Sequence, residues 1–585
     1  FDFKYLYDRA ELLGVSGFAS RLSRLENYSC NFIEKELKSA ALGQNILKYY
    51  DIKGRIVIDL MKIVQRDYNL SSYKLDYVSS YFIREKIKSH ELYNNKTKLN
   101  VASNYGIKID QYISIYYFDG LTDNNYGNKK YQVLELIDEN YIIVDDNEID
   151  LSTLFEKNYK IFWCHAKDDV SVRQIFESYN GTSKQRSLVG KYCIQDCELV
   201  NKLMSKLQVM VKNISMAKVC HVPVTYIFLR GQGIKIQSLM TRYCNEREYL
   251  LPVIKKKPEK PKEEKEEKNE EDEENKKFEK FVSSLNKNED DYYSSDDEDD
   301  RYEGATVLDP KKGYHLVPVG CLDFASLYPN SMILKNLSHE TLVNNKKYDN
   351  LPDYNYHEIT YTNGIGETIV NRFAEKKDGT KGIVPNILRD LLAARKKFKK
   401  KMAIEKNEFD KVNWDGLQLA YKMTANSLYG QTGAKTSAIR MKEIAASTTA
   451  TGRDMLKYAK KFIEEIYSKI LKLSLNSKKK ELKEYMMELL DEKSDDIFIN
   501  DNYKNKMEFI EYCYKYINEI LEGYTVDPEI IYGDTDSVFF SLNITDKKTN
   551  KKLTNKTSLE KTITLGMFGS DIVNILLPSP MNLEY

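Results

Sequence analysis

EIIYGDTDSVFFS, residues 529–541, is the stretch that decides how the C-terminal half folds. Two runs rich in β-branched and aromatic residues, Glu529–Tyr532 and Ser537–Ser541, flank Gly533, Asp534, Thr535 and Asp536. The pattern predicts a β-hairpin with an acidic tip. Carboxylates at alternate positions, Asp534 and Asp536, project side by side and repel each other unless a cation lies between them. Hard oxygen donors of this kind suit Mg²⁺. Alone, the tetrapeptide reads equally well as an ordinary turn, since Asp is a common turn residue.

A second element changes the weighing. Cys321-Leu322-Asp323-Phe324-Ala325-Ser326-Leu327-Tyr328-Pro329 puts one Asp at the end of an apolar strand, followed by a tight turn. A strand-end Asp brought beside a two-Asp hairpin is a site for two metal ions, the arrangement that drives in-line displacement at phosphorus. Positive charge is close at hand. A helix predicted from Asn386 to about Ile404 carries Arg395 and Lys399 four apart, and a second, near 414–428, carries Lys422 and Asn426 four apart. Each pair therefore shares a helix face. The ordinary alternative is a solvated basic face, and most of the charge at Lys396, Lys397, Lys400 and Lys401 fits it. A helical hairpin presenting Arg and Lys toward a metal site also suits a triphosphate.

These stretches resemble motifs A, B and C of family B DNA polymerases: DFASLYPN (323–330), KMTANSLYG (422–430) and YGDTDSVF (532–539), in that order. YEGATV (302–307), GIVPNILRDLLAARKKFKK (382–400), TATGRDML (449–456), GRIVIDLMKIVQRDYNLSSYKL (54–75) and RGQGIKI (230–236) resemble further segments of the same family. FDFKYLYDRA (1–10) and YCIQD (192–196) resemble its second and third exonuclease motifs. The resemblance implies an α/β multidomain chain: a partial RNase H-like 3′–5′ exonuclease domain, then a right-hand polymerase palm (α+β, ferredoxin-like) with a helical-hairpin fingers subdomain.

For individual residues it implies that Asp323 and Asp536 bridge two catalytic Mg²⁺ ions, with Mn²⁺ an alternative and Asp534 in support. Main-chain amides of Phe324, Ala325, Ser326 and Leu327 would hold a deoxynucleoside triphosphate. Tyr328 would stack under the sugar and exclude a 2′-hydroxyl. Arg395, Lys399, Lys422 and Asn426 would grip the phosphates, with Lys422 placed to protonate pyrophosphate, and Tyr429 and Gly430 would pack on the nascent base pair. Asp2, Tyr192 and Asp196 would belong to the exonuclease site. The implied partners are primer–template DNA, deoxynucleoside triphosphates and a sliding clamp or other processivity factor. Two rival readings stand beside it, a protein-primed family B enzyme and a catalytically silent DNA-binding relative.

Composition agrees with a globular chain: 585 residues, 42% hydrophobic and 30% charged. No run reaches the ~18 apolar residues of a membrane span. Eight cysteines without a CxxC pair read as free thiols of an intracellular protein, in the nucleus or at a cytoplasmic viral replication site. The net charge of +1 hides an uneven distribution, since residues 255–301 carry 19 acidic and 12 basic residues. The remainder is basic, as suits a polyanionic partner.

Residues 255–301 are too charged and too poor in apolar side chains to offset their ordering entropy, so a disordered acidic insert is expected there. The expected map is a partial exonuclease domain over 1–215, entry to the palm over 216–254, palm with motif A over 302–385, fingers over 386–446, and palm with motif C over 447–585. A charged surface insertion is expected near 477–506. The chain begins without Met and is expected to be a fragment, lacking an upstream Asp-x-Glu pair and a downstream thumb. Abundant Asn, Lys, Ile and Tyr favour an AT-rich source, a large DNA virus over a cellular replicase.

Overall fold

The computed structural model describes residues 2–39, 43–166, 170–251, 301–498 and 503–585. The acidic segment expected to be disordered therefore lies almost wholly outside the described residues. The chain divides into two units, residues 1–235 with 398–420 and residues 236–397 with 421–585.

In the first unit, strands Phe32–Ser39 and Gly43–Tyr50 form an antiparallel hairpin. Six further strands close on themselves: Arg84–Tyr93, Lys96–Val101, Tyr112–Phe118, Tyr131–Ile137, Tyr141–Val144 and Lys160–Ala166. Every neighbour pairs antiparallel, and pairing of Tyr112–Phe118 with Lys160–Ala166 completes the circuit. Alternation fills the interior, as in Lys96–Val101, where Thr97, Leu99 and Val101 are buried and their neighbours are not. Ile87, Ile113, Ile115, Val133, Ile142, Ile161 and Trp163 complete the core, and the Trp163 indole N–H donates to the Ser103 carbonyl at 3.0 Å. The apolar runs YIIV (141–144) and KIFW (160–163) both fall in barrel strands. The barrel itself was not foreseen within the segment expected to be RNase H-like. Two helices follow the barrel, Ser183–Lys206 and Val209–Cys220, separated where Gln208 takes φ +54°.

The second unit is built on a five-stranded antiparallel sheet. Its strands are β1 (Val307–Leu308), β2 (Gly320–Phe324), β3 (Glu529–Asp534), β4 (Ser537–Ser541) and β5 (Leu583–Glu584), in the spatial order β1-β3-β4-β2-β5. The predicted hairpin is thus β3–β4, with Asp534 opposite Ser537. Seven helices matter here: α1 (Leu327–Leu334), α2 (Ile383–Ile404), α3 (Glu408–Gly433), α4 (Lys442–Lys461), α5 (Lys479–Leu489), α6 (Lys506–Ile520) and α7 (Lys556–Leu576).

One face of the sheet is apolar. Leu322, Phe324, Val538 and Phe540 pack with Leu456, Phe462, Tyr467, Leu565 and Ile572 in a single core. Tyr467 is fully buried, and its hydroxyl is satisfied by the Leu565 carbonyl at 2.7 Å. Because strand side chains alternate, this core consigns Cys321 and Asp323 to the opposite face. The segment near 477–506, expected to be a charged surface insertion, also supplies core side chains among its described residues. Leu482 and Met486, one turn apart on α5, join Leu490 and Phe498 in that same core. Its lysines and glutamates cover the outside of an amphipathic helix.

One buried group in the barrel is unfavourable. His165 is 1% exposed, and neither ring nitrogen has a partner. Burial, assisted by the Lys202 charge, pushes its pKa down to about 4. The neutral ring is therefore the folded form. The stabilisation this represents is complete above the unfolded value near 6.5 and is lost as pH falls from there toward 4, about 3 kcal/mol in all. Replacing His165 with Leu should flatten the fall in unfolding free energy between pH 7 and pH 4.5 by about that amount in denaturant titrations, relative to the parent protein.

Candidate active site

Two sharp turns carry the acidic residues, and both place a non-glycine residue in left-handed backbone space. Ser326 has φ +57° between β2 and α1, and Thr535 has φ +55° at the tip of β3–β4. Such conformations cost about 1–3 kcal/mol and persist only where the surroundings enforce them. At the tip, the Thr535 amide donates to the Thr306 carbonyl at 3.1 Å, and the Phe324 amide donates to the Asp536 carbonyl at 2.8 Å. The first bond ties the turn to the chain entering β1, and the second ties it to β2.

Antiparallel pairing of β2 with β4 sets Asp323 opposite Ser537, one residue from Asp536. On the open face of the sheet, Asp323 lies within electrostatic reach of Asp536. Burial and then the Asp536 and Glu584 charges raise the carboxyl pKa of Asp323, while Lys422 opposes them. Burial likewise raises Asp536, with Asp534 adding to the effect and Lys422 again opposing it. Two partly buried acidic groups that both resist ionisation, each opposed by the Lys422 ammonium, form a donor set suited to a divalent cation.

Asp534 is placed differently. Its carboxylate accepts the Thr535 hydroxyl at 2.8 Å and the Tyr532 hydroxyl at 3.3 Å, so its oxygens are used inside their own turn. Among the described residues, no group of three His, Cys, Asp or Glu side chains is assembled to hold a metal. A cation here would take two carboxylates from the protein and complete its shell from main chain, water or substrate oxygens, the usual habit of Mg²⁺.

The expected amide cradle is only half open. The Phe324 amide is bonded to Asp536, and the Ala325 amide donates to the Asn582 carbonyl at 2.9 Å. These two are corrected: sheet and loop pairing already uses them. Ser326 and Leu327 remain, at the start of α1, where a helix leaves its first N–H groups unbonded. Arg395 Nη1 reaches the Ser326 hydroxyl at 3.3 Å, and its Nε is buried without a partner. Lys422 and Asn426 are exposed on α3, and Lys399 is exposed one turn beyond Arg395 on α2.

The Tyr328 ring lies 4.4 Å from that of Tyr429, tilted by 33°. It packs so tightly on α4 that a Cβ at Gly452 would stand 3.0 Å from it. Gly430, by contrast, faces open space, so the protein's own packing does not demand a glycine there.

Two residues were missed by the sequence reading. Glu584 on β5 lies directly across from Asp323. Arg453 on α4 is 6% exposed and donates from Nη1 to the Glu303 and Gly304 carbonyls at 2.7 and 2.8 Å. Glu584 has no local signal, since it works through distant strand register; Arg453 lies within TATGRDML (449–456), but that stretch does not reveal its main-chain partners. In the first unit, Tyr192 and Asp196 sit one turn apart on Ser183–Lys206, whereas Asp2 opens a separate helix, Asp2–Leu12.

Comparison with known proteins gives two family matches. Residues 222–573 match DNA polymerase family B, and residues 1–78 match the DNA polymerase family B exonuclease domain. The chain is 36% identical to a DNA polymerase of Pyramimonas orientalis virus, over 100% of the chain and 43% of that relative. It is 33% identical to a DNA polymerase of Phaeocystis pouchetii virus, over 99% of the chain and 52% of the relative. With the DNA polymerase delta catalytic subunit of Drosophila melanogaster it shares 26% identity over 100% of the chain and 36% of that protein. The chain thus spans about half the length, or less, of these relatives.

Crowding of like charges makes a prediction for the metal-free protein. A raised carboxyl pKa in the folded state means that ionised Asp323 opposes folding at neutral pH and ceases to do so as acid protonates it. Asp323→Asn should therefore raise the melting temperature at pH 7 in chelator, with a gain in unfolding free energy of no more than about 1 kcal/mol because the site is solvent-screened. Calorimetry with added Mg²⁺ should show the parent gaining on the variant.

Proposed function

The chain belongs to family B of the DNA polymerases, and from that premise we propose that it carries the polymerising centre of a template-directed DNA polymerase, adding deoxynucleoside triphosphates to a primer 3′-hydroxyl. The observation that carries this reading is the register that sets Asp323 opposite Ser537, next to Asp536, with the Lys422 charge acting on both carboxylates. Two Mg²⁺ ions, with Mn²⁺ as a substitute, would supply activation of the attacking oxygen and stabilisation of the leaving one. Asp323 and Asp536 would hold them, with Asp534 bracing the turn.

The remaining work falls to the chain's own groups. Amides of Ser326 and Leu327, with Arg395, Lys399 and Asn426, would orient the triphosphate. Lys422 would deliver a proton to the departing pyrophosphate. Tyr328, backed by Tyr429 and Gly452, offers a rigid ring edge against which a 2′-hydroxyl would clash. Gly430 leaves room beside Tyr429 for a base pair. Sequence choice would come from template pairing, with the protein testing shape.

In this reading the five-stranded sheet is the ferredoxin-like palm, interrupted between 386 and 446 by helical-hairpin fingers. Residues 1–215 would be part of an RNase H-like exonuclease domain with Asp2, Tyr192 and Asp196 at its site, and 216–254 the entry to the palm. Proofreading in the intact protein only, a sliding clamp and a large-DNA-virus source fit the same picture. Among the described residues no helix is long and apolar enough to cross a membrane.

In the intact protein, Asp323→Ala should abolish primer extension while leaving primer–template affinity within about twofold, since phosphate contacts supply most of that affinity. Extension at near the parental rate would refute the assignment. Tyr328→Ala should admit ribonucleotides in single-nucleotide insertion assays, and unchanged sugar selectivity would remove Tyr328 from that role.

A further inference from the structure

A short strap runs from Tyr302 to Leu308 between α4 and the acidic turn. At its start, Arg453 Nη1 binds two successive carbonyls, Glu303 at 2.7 Å and Gly304 at 2.8 Å. Nη2 of the same guanidinium meets the Glu303 carboxylate at 3.2 Å, and the Thr449 hydroxyl is shared between the Ala446 carbonyl of its own helix at 2.9 Å and the Glu303 carbonyl at 3.1 Å. Two residues on, the Thr306 carbonyl accepts the Thr535 amide. Val307 and Leu308 then pair with Asp534 and Gly533. Contact is close, since a Cβ on Gly533 would lie 2.7 Å from the Leu308 side chain.

A β-branched threonine in left-handed space does not stay there unaided. The hydrogen bond from Thr535 to Thr306 is one of the restraints holding it, and Thr306 is placed by the clamp on the two carbonyls before it. A guanidinium suits that clamp because its rigid fork can serve several oxygens at once. The helix bearing Arg453 also bears Gly452, on which Tyr328 rests. One helix thus backs both the ring expected to read the sugar and the turn expected to hold the ions.

We propose that Arg453 is a positioning residue that acts through the 302–308 strap to fix the Thr535 turn, and so the spacing of Asp536 from Asp323. The inference deepens the polymerase reading and rests on it only for its catalytic consequence. Arg453 is nearly buried and spends Nη1 on two main-chain carbonyls and Nη2 on the Glu303 carboxylate, so it is not assigned a contact with DNA.

The test uses the intact, metal-free protein and hydrogen–deuterium exchange read peptide by peptide. Arg453→Met should speed exchange of the 532–537 amides by about fivefold or more, as loss of a buried hydrogen-bond anchor allows, while α7 keeps its parental protection. Mn²⁺ titration followed by electron paramagnetic resonance should show correspondingly weaker binding, with Asp323→Ala marking loss of the site. Arg453→Lys, which keeps one donor of the clamp, should fall between. Primer extension should then need more Mg²⁺ for half-maximal rate at unchanged primer–template affinity.

Unchanged exchange at 532–537, or a loss of DNA affinity that accounts for the loss of rate, would overturn the proposal. If Arg453→Met loosens α7 as well, Thr449→Val decides in its place: it removes one hydroxyl from the clamp and should raise exchange at 532–537 alone, and no such rise counts against the strap. A parent protein that binds Mn²⁺ through Asp323 yet extends no primer would sink the polymerase reading while leaving the strap to be judged by exchange.

Discussion

Two like charges are forced together here by backbone pairing. Antiparallel register between β2 and β4 fixes Asp323 beside the hairpin tip, and the apolar face beneath leaves its side chain no choice but the other side of the sheet. Turning Asp323 inward would bury a carboxylate among Leu322, Phe324 and Val538, at a cost of several kcal/mol. The core therefore dictates the site. A fold driven by burial on one face delivers an electrostatically unfavourable pair on the other, and that pair becomes an asset once a divalent cation is present.

The surroundings follow from the same constraint. Tight turns are needed to bring both carboxylates to one edge, and Ser326 and Thr535 take the backbone cost. Each turn has a neighbour holding it: Arg395 reaches Ser326, and the 302–308 strap reaches Thr535. Cationic side chains on α2 and α3 face the side where negative charge collects. Exposure of Lys422 and Asn426 leaves them available to an incoming anion, in contrast to Arg453, whose nearly buried guanidinium is committed to carbonyls.

Several of these features could be read from residues in order. The β3–β4 hairpin was legible because alternating β-branched and aromatic residues bracket a four-residue acidic turn. The helices bearing Arg395 and Lys422 were legible from their spacing. Other features depend on what comes together in three dimensions. REKIKSHELY (84–93) mixes lysines, glutamates and a histidine so freely that its strand period is faint, and closure of the barrel depends on Tyr112–Phe118 meeting Lys160–Ala166. Residues 477–506 looked solvated because lysine and glutamate dominate the count, although Leu482 and Met486 already lie one turn apart. Glu584 gains meaning only from its register with Asp323. The amides of Phe324 and Ala325 looked open to a phosphate until the strand and loop that bond them were in place.

Anomalous diffraction from crystals of the intact protein soaked in Mn²⁺ tests most directly whether that juxtaposition is a metal site. A peak at the manganese edge lying between the carboxylates of residues 323 and 536, and lost in an Asp323→Ala crystal, is the predicted result. No peak at that position, with the two side chains turned away from each other, would contradict it.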